Sequence, residues 1–278
     1  MLTVWLLFLQ FLYGFIMPLQ NRNQGKDARK RIEVARVIAN NSKKMRLYHR
    51  GAIIRGDTST PQLALVFTGD EFADGGERIR QVLRKHQIKA SFFLTGRFYR
   101  NPAFQNIIQE LKKDGHYLGA HSDQHLLYCD WRKRDSLLVN REQFRADLLR
   151  NYTEMQRFKV RESQARFYLP PYEWYNNTIA TWTKELGLEL INYTPGTLSH
   201  ADYTTPNDKV YRSSRLILQS IYDFEKKAPS GLNGFILLMH IGTDPARTDK
   251  LYLYLDELLD YLKKNNYQPI RINELLTA

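Results

Sequence analysis

Short, continuous apolar runs alternate with amphipathic stretches from residue 51 to residue 272. The runs are GAIIRGD (51–57), LALVFT (63–68), KASFFLT (89–95), HYLGA (116–120), ARFYL (165–169), LELINYT (188–194), GFILLMH (234–240) and YQPIRI (267–272). Between them, 77–87, 103–114, 142–157, 176–186, 212–227 and 249–265 read as helices, the last with Leu251, Leu255, Leu258, Leu259 and Leu262 on one stripe. A strand that is apolar at successive positions is buried on both faces, which requires a parallel sheet covered by helices. This number of strand–helix units predicts a β/α barrel, or a distorted and incomplete one. At 278 residues the chain is long enough for one such domain.

In barrels of this kind chemistry gathers where strands run out at their C-terminal ends. Five runs here end in polar or specially shaped segments. LALVFT leads to Gly69-Asp70-Glu71-Phe72-Ala73-Asp74, HYLGA to His121-Ser122-Asp123-Gln124-His125, and ARFYL to Pro170-Pro171-Tyr172-Glu173-Trp174. LELINYT leads to Pro195-Gly196-Thr197, and GFILLM to His240. On a helical turn, His121 and His125 would share one face and bind one divalent metal; the plain alternative is a surface pair without a ligand. A carboxylate from the loop at 70–74 would complete a His-His-carboxylate site with positions open to water and substrate. His240 is a structural histidine or, beside a metal, a general acid. Tyr172 and Trp174 follow two stiffening prolines and suit either stacking on a sugar or covering the barrel mouth. Cys129, the single cysteine, is expected to be a buried spectator, so a metal site would be built from histidine and carboxylate.

From about Gly51 to Leu276 the order of segments resembles the polysaccharide deacetylases of carbohydrate esterase family 4. The motif H-[ST]-x-x-H stands here as HSDQH, and the strand ending in L-x-H as LLMH. IKASFFLTGRF, DGHYLGAHS and YQPIRINELL add to the resemblance. It implies a distorted, incomplete (β/α) barrel that hydrolyses an acetamide or acetate ester on a carbohydrate. It further implies a divalent metal, with Zn the first choice and Co or Ni as substitutes. Transferred by order, Asp70 becomes the catalytic base, and Glu71, His121 and His125 hold the metal; the reverse roles of Asp70 and Glu71 are also open. His240 protonates the leaving group, and Pro171, Tyr172 and Trp174 form the substrate-binding segment. Three departures mark a divergent branch. The acid pair is shifted into FTGDEFADGG, Leu169 stands where the family has an Arg, and TPGTLSHADY replaces the fourth motif. Loss of the Arg predicts a compensating group, with Glu173 or Arg166 as candidates, or low activity. The alternative reading is a carbohydrate-binding descendant of the same fold with weak or no catalysis.

The formal net charge of +12 would by itself suggest a polyanionic partner. Its distribution argues otherwise: residues 1–60 hold 11 Lys/Arg and 3 Asp/Glu, leaving only +4 beyond them. No nucleic-acid motif is present, so the expected partner is an acetylated oligo- or polysaccharide. Leu2–Leu19 is apolar and is expected to be a signal or membrane anchor (1–20), followed by a basic connector (21–50) and the catalytic domain (51–278). Export or anchoring at a bacterial cell envelope follows, although the basic flank would face the cytoplasm by the positive-inside rule.

Overall fold

A computed structural model describes residues 46–277. The expected signal or anchor, and the connector up to residue 45, lie outside the described residues. No described helix is long and apolar enough to cross a membrane. The end of the expected connector belongs to the folded body: β1 (Leu47–His49) pairs antiparallel with β2 (Ala52–Arg55).

The chain then runs through β3 (Gln62–Gly69), α1 (Gly76–Lys85), β4 (Ser91–Leu94), α2 (Gly96–Arg100) and α3 (Gln105–Lys113). It continues with β5 (Tyr117–Ala120), α4 (Arg141–Arg157), β6 (Phe167–Tyr168), α5 (Asn177–Glu185) and β7 (Glu189–Leu190). α6 (Ser214–Lys227), β8 (Ile236–His240), α7 (Leu255–Lys264), β9 (Gln268–Ile270) and α8 (Ile272–Thr277) complete it. The strand order is β7-β6-β5-β4-β3-β8, every pairing is parallel, and β9 joins the start of β3. The expected layered α/β architecture is therefore present, as a curled sheet with helices alternating along the chain.

Differences from the expected elements have local causes. The run 165–169 is a strand for only two residues, because Pro170 and Pro171 have no N–H to continue the ladder. The helix expected at 249–265 begins as a 3-10 turn (Leu251–Tyr254) before α7 takes over, with Leu255, Leu258, Leu259 and Leu262 buried. α2 was not anticipated; Thr95 caps it by accepting from the Phe98 N–H at 3.0 Å. α4 carries a capping box, with Asn140 and Gln143 each accepting from the other's backbone N–H at 2.8 Å.

The central strand β3 is apolar from Leu63 to Phe67 and lies against β4 and β8, whose side chains are also buried. Its register aligns Thr68 with His240 and Gly69 with Leu94; β4 aligns Leu94 with Ala120, and β5 aligns Ala120 with Tyr168. The C-terminal strand ends thus reach one rim together. Among the described residues no ladder joins the two edge strands, β7 and β8. β2 spans the opening through the bridges Ile53↔Ile191 and Arg55↔Phe235, with Asn192 N–H donating to the Ile53 carbonyl at 2.9 Å and Gly56 N–H to the Gly234 carbonyl at 2.7 Å. This irregular closure is what makes the barrel incomplete.

Gly234 makes that closure sterically possible. Its φ is +69°, and a Cβ there would stand 2.4 Å from the Gly56 carbonyl oxygen. Gly234→Ala is expected to destabilise the fold by about 3 kcal/mol, read as a lowered urea midpoint; an unchanged midpoint would contradict so tight a closure.

Candidate active site

His121 follows directly from β5 and is almost fully buried. Its N–H donates to Asn151 Oδ1 at 2.8 Å, and Asn151 Nδ2 donates to the Leu94 carbonyl at 3.2 Å, so α4 locks the strand end. The ring Nδ1 lies 2.8 Å from the Leu169 carbonyl. A carbonyl can only accept, so the proton sits on Nδ1 and Nε2 keeps its lone pair. Residues 121–125 form a loop and not the helical turn considered from the spacing. Ser122 (φ 73°) and His125 (φ 53°) take left-handed conformations. Asp147 holds them there, accepting from Ser122 Oγ at 2.6 Å, Gln124 N–H at 3.0 Å and Tyr128 OH at 2.9 Å. The two imidazoles end 5.0 Å apart, centroid to centroid. Burial pushes His121 down to about 4 and His125 down to about 2, the latter aided by the charges of its neighbours. Both rings are neutral at physiological pH.

The shifted acid pair separates. Asp70 accepts from Thr95 Oγ1 at 2.8 Å and from Arg97 Nε at 3.1 Å, with Arg97 Nη2 on its other oxygen. That second oxygen is 3.9 Å from His125 Nδ1. Glu71 is 64% exposed and 3.8 Å from Arg97 Nη1. Asp70 is therefore the carboxylate brought to the histidine pair, and Glu71 is not. Arg97 is the cation beside the acids. Arg166 is instead exposed, reaches the Gly187 carbonyl at 3.4 Å, and lines a separate groove with Lys112 and Arg271. Leu169, at the position of the family Arg, is fully buried and contributes only its carbonyl. The strand-end rule could have found Arg97, which lies three residues beyond β4.

His240 faces a partner that the sequence reading missed. Asp202, in the turn Ser199–Tyr203, is buried, with Oδ1 2.6 Å from His240 Nδ1 and Oδ2 accepting the His240 N–H at 2.9 Å. Burial alone would lower the His240 pKa, but the Asp202 carboxylate outweighs it and the pKa is raised. The fully buried Arg247 anchors the Asp202 loop through the Thr204 carbonyl at 2.5 Å and the Arg212 carbonyl at 3.1 Å. Asp74 and Asp244 are structural: Asp74 ties the loop after β3 to Thr243 N–H and Tyr252 OH, each at 2.8 Å, and Asp244 caps a turn at Ala246.

Asp70, Glu71, His121, His125 and His240 line one cleft of about 800 Å³. Tyr172 is 44% exposed and its ring lies 4.4 Å from that of His125. Trp131, absent from the sequence reading, is 53% exposed, 5.5 Å from Tyr172 and 5.4 Å from Trp174. Arg134 stacks on Trp174 at 3.9 Å. Pro171, expected in the substrate-binding segment, is buried and does not line the cleft, because the turn exposes Tyr172 in its place. Cys129 is buried and free, as expected.

Among the described residues no group of three or more His, Cys, Asp or Glu side chains is assembled for an ion. The donor chemistry nevertheless fits one: two neutral imidazoles, one with its Nε2 lone pair fixed by the Leu169 carbonyl, and the Asp70 carboxylate beside them. Arg97 engages both Asp70 oxygens.

The polysaccharide deacetylase family model matches residues 55–191. The uncharacterized protein YlxY of Bacillus subtilis (strain 168) is 26% identical over 227 residues, 81% of this chain and 60% of that protein. The peptidoglycan-N-acetylmuramic acid deacetylase PdaA of the same organism is 23% identical over 227 residues, 81% of this chain and 75% of that protein. Among solved structures, BA3943 of Bacillus anthracis, a pseudoenzyme of carbohydrate esterase family 4, aligns with a TM-score of 0.62 at 19% identity, covering 82% of this chain and 70% of that one. This chain thus spans less than two thirds of YlxY, and the structural likeness establishes a shared fold.

The His240–Asp202 pair yields a titration test. In Asp202→Asn the His240 pKa should fall, measured by NMR. Because the pKa is raised in the folded state, the pair's stabilisation is complete below about pH 6.5 and is lost as pH rises through the raised value. The gap in melting temperature between wild type and variant should accordingly be larger at pH 6 than at pH 9; a gap constant with pH would refute the charged pair.

Proposed function

Because the chain belongs to the polysaccharide deacetylase family, we propose that it is a hydrolase removing amide- or ester-linked acetyl groups from an oligo- or polysaccharide. The observation that carries this reading is the division of the cleft histidines into two electrostatic classes. His121 and His125 are neutral donors, whereas His240 is held toward its protonated form by Asp202.

In this reading His121, His125 and Asp70 hold a divalent cation, zinc by the donor set. When bound, such an ion supplies a Lewis acid for the acetyl carbonyl and lowers the pKa of water. Asp70 thus takes the ligand role that chain order assigned to Glu71, because Asp70 is the carboxylate beside His125. His240 donates its Nε2 proton to the departing nitrogen or oxygen, since Nδ1 is committed to Asp202. The backbone N–H of Tyr172 serves the developing oxyanion. Tyr172, Trp131 and Trp174 form an aromatic wall suited to a pyranose ring, with an apolar face and a polar edge.

The test is acetate release from N-acetylated chito-oligosaccharides, peptidoglycan fragments and acetylated xylan, together with metal analysis of the purified protein. At least one substrate should be turned over, and His121→Ala should lower both metal content and rate by about two orders of magnitude. If the protein binds these sugars but releases no acetate, a carbohydrate-binding descendant of the fold replaces this reading.

A further inference from the structure

Deacetylation needs a carboxylate free to accept a proton from water, and the acids of the cleft are unequal in this respect. Five acids line it: Asp70, Glu71, Glu173, Asp208 and Asp244. Thr95 and Arg97 engage Asp70. Glu71 is solvent-exposed beside Arg97. Asp208 accepts from Thr205 N–H at 2.6 Å and Thr205 Oγ1 at 3.0 Å, and Asp244 accepts from Ala246 N–H at 2.7 Å. Among the described residues no hydrogen bond engages the Glu173 carboxyl group.

The backbone of Glu173 is unusual as well. Tyr172 (φ 58°) and Glu173 (φ 54°) are consecutive left-handed residues, a conformation glycine adopts freely and a glutamate only at a cost. The loop is held in it by the Glu173 N–H donating to the Pro170 carbonyl at 3.1 Å and by Asn192 Nδ2 donating to the Glu173 carbonyl at 2.8 Å. Strain retained at a cleft and braced from two sides points to use of the side chain. The titratable groups that face this carboxyl are His240, Asp202, Tyr193 and Tyr203. Burial pushes it up to about 7, against the pull of His240.

We propose that Glu173 is the general base of the reaction, an assignment that rests on the deacetylase reading above. Its carboxylate takes one proton from water as the water oxygen bonds to the acetyl carbon. The carbon–nitrogen (or carbon–oxygen) bond then breaks, its electron pair leaving with the sugar heteroatom, which takes a proton from the His240 imidazolium. Transfer of the proton from Glu173 to His240 restores both groups, and the acetic acid passes its remaining proton to the amine, so water and an acetamide yield acetate and an ammonium sugar with no other reactant. A base poised near neutrality beside an acid of raised pKa suits this exchange.

The experiment follows acetate release by wild type, Glu173→Gln and Glu173→Gly over pH 5–9, on a substrate the wild type turns over. Both variants should lose about 10³-fold in kcat with KM changed by less than about twofold, and should lose the acidic limb of the pH profile. Glu173→Gly suits the left-handed backbone, so it should melt at or above the wild-type temperature and regain part of its activity with added formate. An acidic limb and kcat retained in Glu173→Gln, or an effect confined to KM, would overturn the base role while leaving the deacetylase reading intact. A wild type that releases no acetate from any of the three substrate classes overturns the deacetylase reading and the base role together.

Discussion

The site depends on the parallel register of β3 with its two neighbours. Backbone ladders align Thr68 with His240 on one side and Gly69 with Leu94 on the other, and the alignment passes through β4 to Ala120 and β6. Side-chain facing in a sheet has a period of two, so a slip of one residue would turn a strand's whole apolar set to the wrong face. Burial of Leu63–Phe67, Phe92, Phe93 and Ile236–Leu238 forbids such a slip. The requirement for a dry core therefore delivers Asp70, His121 and His240 to one rim, though none of the three contributes to that core.

The rim then sorts like residues into different chemical states. His121 and His125 lose their charge because burial is not compensated. His240 is buried too, but Asp202 sits 2.6 Å from its Nδ1 and reverses the outcome. The carboxyls divide in a parallel way: Asp70 is drawn to Arg97 and Thr95, whereas Glu173 stands in the cleft without such partners. Identical side chains on one sheet edge can thus have pKa values shifted in opposite directions, because the residues packed behind them differ from strand to strand.

Much of this is legible in the amino-acid sequence. The strands near 63–68, 89–95, 116–120 and 234–240 were visible because an unbroken apolar run has few fates other than a buried strand. His121, His125 and His240 were legible because they sit where those runs end. Short strands were harder: β6 and β7 keep two residues each, since the prolines after one and the irregular contacts of the other with β2 decide their length. Arg97, Asp202 and Trp131 escaped as partners for a common reason. Each acts on a residue far away in the chain, such as Asp202 on His240 or Arg97 on Asp70, and no local pattern records such a pairing.

The amino-acid sequence by itself determined the parallel α/β architecture, the family resemblance and the identity of the cleft histidines. These follow from hydrophobic period and from residue types at strand ends, both local properties. Tertiary structure alone decided which carboxylate meets the histidines, which cation stands beside the acid pair, and which histidine is held toward its protonated form. Those outcomes depend on distances of a few ångströms between segments 25 to 40 residues apart, as for Asp70–Arg97 and Asp202–His240. Electrostatic and hydrogen-bond energies change steeply over such distances, and only packing sets them.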